Sequence, residues 1–453
     1  MPRLSRTNHD RGLFVALSAL LLGLALHWPA TPLFRDEVGY IGQARLLLQG
    51  TFRPGPRAVV HAFETDGGVV AAYPYAMPLL LAVPFAIAPR AVFVVNVLAA
   101  LAIAVGAARI FERWGRSPLW GAVLLLHPTL LLLVRTAMAD VVVAAAAVWA
   151  WLTLEREDRW ATVVSFAFLV LAKPYGILIA VALLAGAAWS RAASGAPAVA
   201  GITVGAAGSI VLNVLSTGSA WSVYGRHPAT FRWESLPQAG GLILVLLLLA
   251  PPGLVLGSVP LARRRAWGPL GAAAALVILM SFYGFSDRAP GLVETLVVGP
   301  RLILPAVVFL TMGWLDGLAS LLERLERPAP SWSTPLVAAT LLAASYATGR
   351  ALEPRETTMT EALRAAEAEL RVSGGGSALG VTDTSWKAAI LSRSRLVQVL
   401  PHERDAAVVL CGRFTESHRD PLPSRSCDLP GYLGVRDVGP YSILVRAPVP
   451  GGP

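Results

Sequence analysis

Charge is what this sequence has least of. Only 15% of its 453 residues are charged, 55% are hydrophobic, and the mean hydropathy is +0.60. A soluble domain carries about a quarter charged residues, so an ordinary soluble fold is excluded. Lysine is nearly absent: of 38 basic residues only Lys173 and Lys387 are lysines, and the net charge of +10 is an arginine charge. In an apolar chain such charge sets orientation and meets lipid headgroups, and it says little about nucleic acid. The Arg, Ala and Gly bias reads as GC-rich bacterial coding. No glycine loop precedes a Lys-Ser or Lys-Thr pair, which argues against an ATP-driven pump. The seven histidines are dispersed and form no His-Glu-x-x-His pattern, so zinc hydrolysis has no support.

What is there is a series of apolar runs. They predict an all-α polytopic membrane protein of about eleven transmembrane helices, at 13–30, 91–109, 118–134, 141–154, 161–173, 175–190, 198–216, 241–260, 267–283, 299–318 and 333–349. The first run follows Arg3, Arg6 and Arg11 without a clear cleavage site and reads as an uncleaved helix. A long first outer loop, 31–90, carries the apolar piece Met77 to Ala88, too short to cross a bilayer and read as a re-entrant or interfacial helix. Inner loops are short and basic, above all Arg263-Arg264-Arg265, which predicts a cytoplasmic N-terminus and an extracytoplasmic C-terminus in a bacterial inner membrane.

The composition changes at Arg350. Residues 1–349 read as the transmembrane domain and 350–453 as a small extracytoplasmic α/β domain, with a helix over Glu361–Arg371, strands near Ser377–Thr382, Arg395–Leu400 and Ala406–Cys411, and a helix over Trp386–Ser392. Both cysteines, Cys411 and Cys427, fall in this domain. One disulfide and two unrelated thiols both remain open.

Against this apolar background a few charges stand out. Asp36 and Glu37 follow the first run within a few residues, and adjacent carboxylates at a membrane surface are costly to hold. Asp140 heads the apolar run Val141 to Leu152 on the same predicted face. Helix capping accounts for such an aspartate, and so does a site in which one acid deprotonates an acceptor while another positions it or holds a divalent metal, Mg or Mn. Asp36 and Asp140 are the candidate ligands. Lys173-Pro174 closes the fifth run and Arg301 opens the tenth. Each snorkels to the interface or meets a lipid phosphate. Tyr40, Tyr73 and Tyr75 belong either to an aromatic belt or, for Tyr73-Pro74-Tyr75, to a pocket floor before the half-helix.

The order Asp36-Glu37-x-x-Tyr40-x-x-x-Ala44, Tyr73-Pro74-Tyr75 with its half-helix, Asp140, Lys173-Pro174 and Gly299-Pro300-Arg301-Leu302-Ile303-Leu304-Pro305 resembles the GT-C superfamily of integral membrane glycosyltransferases. Within it the chain is similar to glycosyltransferase family 39, the protein O-mannosyltransferase and lipid A aminoarabinose transferase type. The resemblance spans residues 10–320. It implies a polyprenyl-phosphate sugar donor and a lipid, glycan or protein acceptor. Asp36 would be base or acceptor-orienting group with Glu37 beside it, Asp140 the second acid, and Lys173 and Arg301 partners of the donor phosphate. Tyr73-Pro74-Tyr75 departs from the family's usual paired prolines or Lys-Pro. The expected activity is an inverting transfer onto an acceptor hydroxyl. The alternative is a transporter or flippase for a lipid-linked or anionic substrate, for which Asn96, Asn213 and Asp316 are the few polar residues inside spans.

Overall fold

The structure, a computed structural model, describes residues 14–15, 18, 32, 34–54, 58–59, 62–65, 68–190, 195–220, 231–250, 253–283, 292–324, 358–373, 378–382, 389–392, 394–398, 406–412, 427, 429–430, 432–439 and 441–447. The expected span 333–349 lies outside these residues, as does nearly all of 13–30.

The first elements are α1 (Arg35–Leu48), a small antiparallel hairpin β1 (Ala62–Thr65) and β2 (Gly68–Ala71), and α2 (Ala76–Ile87). Asp36 and Glu37 lie in the first turn of α1, where the helix dipole favours negative charge. Phe34, at the N-cap, has no side-chain oxygen to offer. Glu37 reaches back instead and accepts the Phe34 N–H at 3.5 Å. Gly50, at φ +77°, ends α1 in the left-handed conformation that glycine adopts without strain, and Thr51 N–H returns to Leu46 O at 3.1 Å. At 12 residues, α2 is too short to cross a bilayer, as expected of the half-helix.

Then come α3 (Val94–Arg113), α4 (Leu119–Leu124), α5 (Pro128–Val134), α6 (Ala139–Glu155), α7 (Arg159–Ala172), α8 (Gly176–Trp189), α9 (Ala196–Thr217), α10 (Leu236–Leu249), α11 (Ser258–Arg263), α12 (Trp267–Ser281), α13 (Leu292–Val298) and α14 (Leu304–Arg324). Among the described residues three helices are long and apolar enough to cross a membrane, or up to five if each bent pair is one span. The expected run 118–134 is broken. Proline disfavours helix in the residue before it, so His127 is extended at ψ 124° and α5 restarts on Pro128. Helices α5 and α6 then meet at 116°.

Close approaches of backbone hold this bundle, because lipid gives apolar side chains little reason to prefer one another. Gly257 and Gly313 let the turn before α11 press onto α14. A Cβ on Gly257 would lie 1.8 Å from Leu310 O, and one on Gly313 would lie 2.1 Å from Gly257 O. Asp316, one of the expected mid-span polar residues, is an anchor for two arginines. Its Oδ1 accepts from Arg116 Nε and Arg264 Nη2, each at 2.8 Å.

The C-terminal residues form α15 (358–372), then β3 (Ala378–Val381), β4 (Arg395–Gln398), β5 (Val408–Gly412), β6 (Tyr432–Val438) and β7 (Tyr441–Arg446). Their order in the sheet is β4-β3-β5-β7-β6, parallel from β4 to β5 and antiparallel beyond. The central β5, Val-Val-Leu-Cys-Gly, is buried throughout, as an apolar run with neighbours on both sides should be. A disulfide joins Cys411 to Cys427, resolving the choice left open by the sequence. Of the helix expected at Trp386–Ser392, residues 386–388 lie outside the described set.

The chain divides into two units. One comprises 1–28, 94–215 and 219–349; the other comprises 29–93, 216–218 and 350–453. The loop that carries Asp36 thus belongs to the same unit as the C-terminal sheet. Arg45 of α1 donates to three carbonyls there, Ile390 at 3.2 Å, Ser392 at 2.6 Å and Ser394 at 2.7 Å.

Candidate active site

The candidate residues fall into two groups, one in each unit. In the membrane unit the turn 135–138 links α5 to α6 and sets the position of Asp140. Asn96 of α3 holds that turn: its Nδ2 donates to Leu133 O, Thr136 O and Met138 O at 3.2, 2.7 and 2.9 Å. Met138, extended, stands before α6, and Asp140 lies in the first turn, only 2% exposed.

Lys173 comes to Asp140 because of its own proline. Pro174 stops α7 at Ala172 and leaves Lys173 extended, at φ −160° and ψ 148°. Lys173 Nζ lies 2.7 Å from Asp140 Oδ1, and the Tyr175 hydroxyl donates to the same oxygen at 3.0 Å. The ammonium also sits 5.1 Å from the centre of the Tyr175 ring. Buried Arg301, in the turn before α14, places Nη1 3.9 Å from Met138 Sδ and acts electrostatically on Tyr175. Asp140, Lys173 and Arg301 are thus brought together, with Tyr175 as a member that the sequence reading missed. Its only signal was adjacency to Lys173-Pro174.

A cap reading of Asp140 is incomplete on this geometry, since its Oδ1 faces a cation and a phenol. That donor set suits an ion pair. Among the described residues no group of three or more His, Cys, Asp or Glu side chains is gathered, so a divalent ion held on one or two carboxylates would take its other ligands from water and substrate phosphate.

In the other unit, Asp36 Oδ1 accepts a hydrogen bond from the Tyr73 hydroxyl at 2.8 Å. Tyr73 is fixed in turn by α1, with Gln43 Nε2 donating to Tyr73 O at 2.8 Å and the Tyr40 ring 4.6 Å from the Tyr73 ring. Asp36 is partly exposed, whereas Glu37 is fully buried and turned back on the start of α1. Tyr75 is anchored differently. Its hydroxyl donates to Phe52 O, its ring lies 5.2 Å from the Phe52 ring, and burial pushes its pKa up to about 12, so it stays a donor. Gln43 had a readable signal: Asp36, Tyr40 and Gln43 share one face at helical spacing.

No protein-family model matches the chain, and no curated protein matches it. Solved structures do. ArnT from Cupriavidus metallidurans bound to undecaprenyl phosphate aligns at TM-score 0.64 and 14% identity, covering 97% of this chain and 98% of that one. ArnT from the same organism in the apo state aligns at TM-score 0.57 and 13% identity over the same shares. From the half-helix to the C-terminal sheet, the chain shares the fold of these ArnT structures.

Proposed function

We propose that this protein is a membrane glycosyltransferase that moves a sugar from a polyprenyl phosphate to an acceptor hydroxyl, with inversion at the anomeric carbon. One observation carries the reading: two basic side chains, Lys173 and Arg301, gather with a buried carboxylate among membrane helices, in a fold shared nearly end to end with a structure bound to undecaprenyl phosphate. A cation kept among membrane helices is costly unless it meets an anion. Asp140 takes one of the three donors of the Lys173 ammonium and leaves two for phosphate oxygens.

Asp36 accepts the proton of the acceptor hydroxyl. The acceptor oxygen then bonds to the anomeric carbon as the bond from that carbon to the donor phosphate breaks. Polyprenyl phosphate leaves, its charge held by Lys173 and Arg301. A base must be ionised to act, and the Tyr73 hydroxyl, by donating to Asp36, fixes the direction of the carboxylate. The Tyr40, Tyr73 and Tyr75 rings are buried and brace the α1 face that carries Asp36. In this reading the chain crosses an inner membrane about eleven times and works on the extracytoplasmic face, where the Cys411–Cys427 disulfide is at home.

The test is transfer by the purified protein in nanodiscs. Radiolabelled undecaprenyl-phosphate sugars (aminoarabinose, mannose and glucose in turn) are supplied with cell-envelope acceptors. Label should pass to an acceptor, and Asp36→Asn should abolish transfer while thermal unfolding stays unchanged. Full activity in that variant would sink the mechanism.

A further inference from the structure

Gln43 is fully buried, and a carboxamide buried without a partner is costly. Its Nε2 is directed at the backbone carbonyl of Tyr73, 2.8 Å away and thirty residues distant in the chain. That carbonyl lies in the short turn between β2 and α2, outside any ladder or helix, so it needs a donor from elsewhere. The same face of α1 presents Tyr40, whose ring lies 4.6 Å from the Tyr73 ring, and Asp36, which takes the Tyr73 hydroxyl at 2.8 Å. One helix face therefore grips a single tyrosine at its backbone, its ring and its hydroxyl. Only the third contact touches the proposed base.

We infer that Gln43 is a positioning residue: by holding the Tyr73 backbone it aims the Tyr73 hydroxyl at Asp36 and so fixes the direction in which the carboxylate takes a proton. The inference rests on the reading of Asp36 as the base of a transferase. Gln43 touches neither sugar nor phosphate in this scheme, so its loss acts on turnover and leaves donor affinity alone. A displacement of about 1 Å at a reacting group is enough to cost ~100-fold in rate, and a slackened hydrogen bond costs less.

The experiment is a double-mutant cycle on the full-length protein in nanodiscs, with the same radiolabelled undecaprenyl-phosphate sugars. Gln43→Met keeps the side-chain length and removes the donor; Tyr73→Phe removes only the hydroxyl. Each single variant should lower kcat about 10-fold with the donor KM unchanged, and the double variant should match Tyr73→Phe, because both act through one hydrogen bond. Where Gln43→Met fails to fold, Gln43→Leu fills nearly the same space, lacks the donor at every pH, and should give the same kcat. Wild-type kcat in the Gln43 variants, effects that multiply, or a raised KM at full kcat each overturn the inference while leaving the transferase reading intact. A wild-type protein inactive with every donor overturns both.

Discussion

Lys173 Nζ and Asp140 Oδ1 lie 2.7 Å apart, and the carboxylate is far more deeply buried than the ammonium. The pair is therefore lopsided: Asp140 depends on Lys173 more than Lys173 depends on Asp140. Removing one partner of a buried pair leaves an uncompensated charge, at a cost of about 3–5 kcal/mol.

Lys173→Met should lower stability by about 3 kcal/mol, the low end of that range because Lys173 keeps some solvent. Adding Asp140→Leu should restore most of the loss. Neither variant should bind undecaprenyl phosphate. Thermal unfolding in detergent reads the first effect and ligand titration the second. A double variant that binds normally would remove Lys173 from the donor site.

Arg301→Ala should weaken undecaprenyl phosphate binding about 10-fold or more, as loss of a charge-assisted contact does. Arg301→Lys should recover only part of it, since an ammonium cannot reproduce the planar fork of a guanidinium. Isothermal titration into nanodiscs distinguishes the two, and equal affinity in all three proteins would refute a phosphate contact.

Gly257→Ala should destabilise the membrane unit by about 2 kcal/mol or more, because the new methyl meets the Leu310 carbonyl rather than a movable side chain. Gly241→Ala, at a position with nothing within 4 Å of the added Cβ, is the matched control. It should leave the unfolding temperature unchanged or raise it.

Reducing the Cys411–Cys427 bond, which closes a separation of 16 residues, should cost the C-terminal sheet about 3 kcal/mol by the chain-entropy account. Cys411→Ser with Cys427→Ser should reproduce the effect, read as earlier proteolysis of the sheet. Unchanged protease resistance in both would show that the apolar core around Val409 and Leu444 suffices.

The sequence made the membrane helices visible because lipid demands long apolar runs, and most described helices lie within a few residues of the runs that predicted them. It also exposed the half-helix, whose length alone forbids a crossing. The break at His127–Pro128 was readable from the proline but was masked by the apolarity on both sides. Strands β6 and β7 were missed although Gly439 and Pro440 punctuate them as a hairpin; β6 is an exposed edge without the apolar run that marks β5. Chemistry was legible as residue types and not as partnerships. Asp140 and Lys173 stood out as charges in apolar surroundings, yet nothing local said that Tyr175 joins them or that Asn96 pins the turn before Asp140. Such contacts join residues dozens of positions apart, and residue patterns report only what lies within a few turns of helix.

Arg45 carries a consequence for how the protein is made. Burial lowers its pKa to about 10, still charged at neutral pH, and the carbonyls of Ile390, Ser392 and Ser394 supply what water no longer can. Those carbonyls are synthesised some 345 residues after it. The helix that bears Asp36 emerges from the ribosome and waits through several hundred further residues for the groups that receive its arginine. An earlier-made helix is thus completed by a later-made turn before β4, and a nascent chain halted before residue 390 holds Asp36 on a helix whose Arg45 has yet to meet those carbonyls.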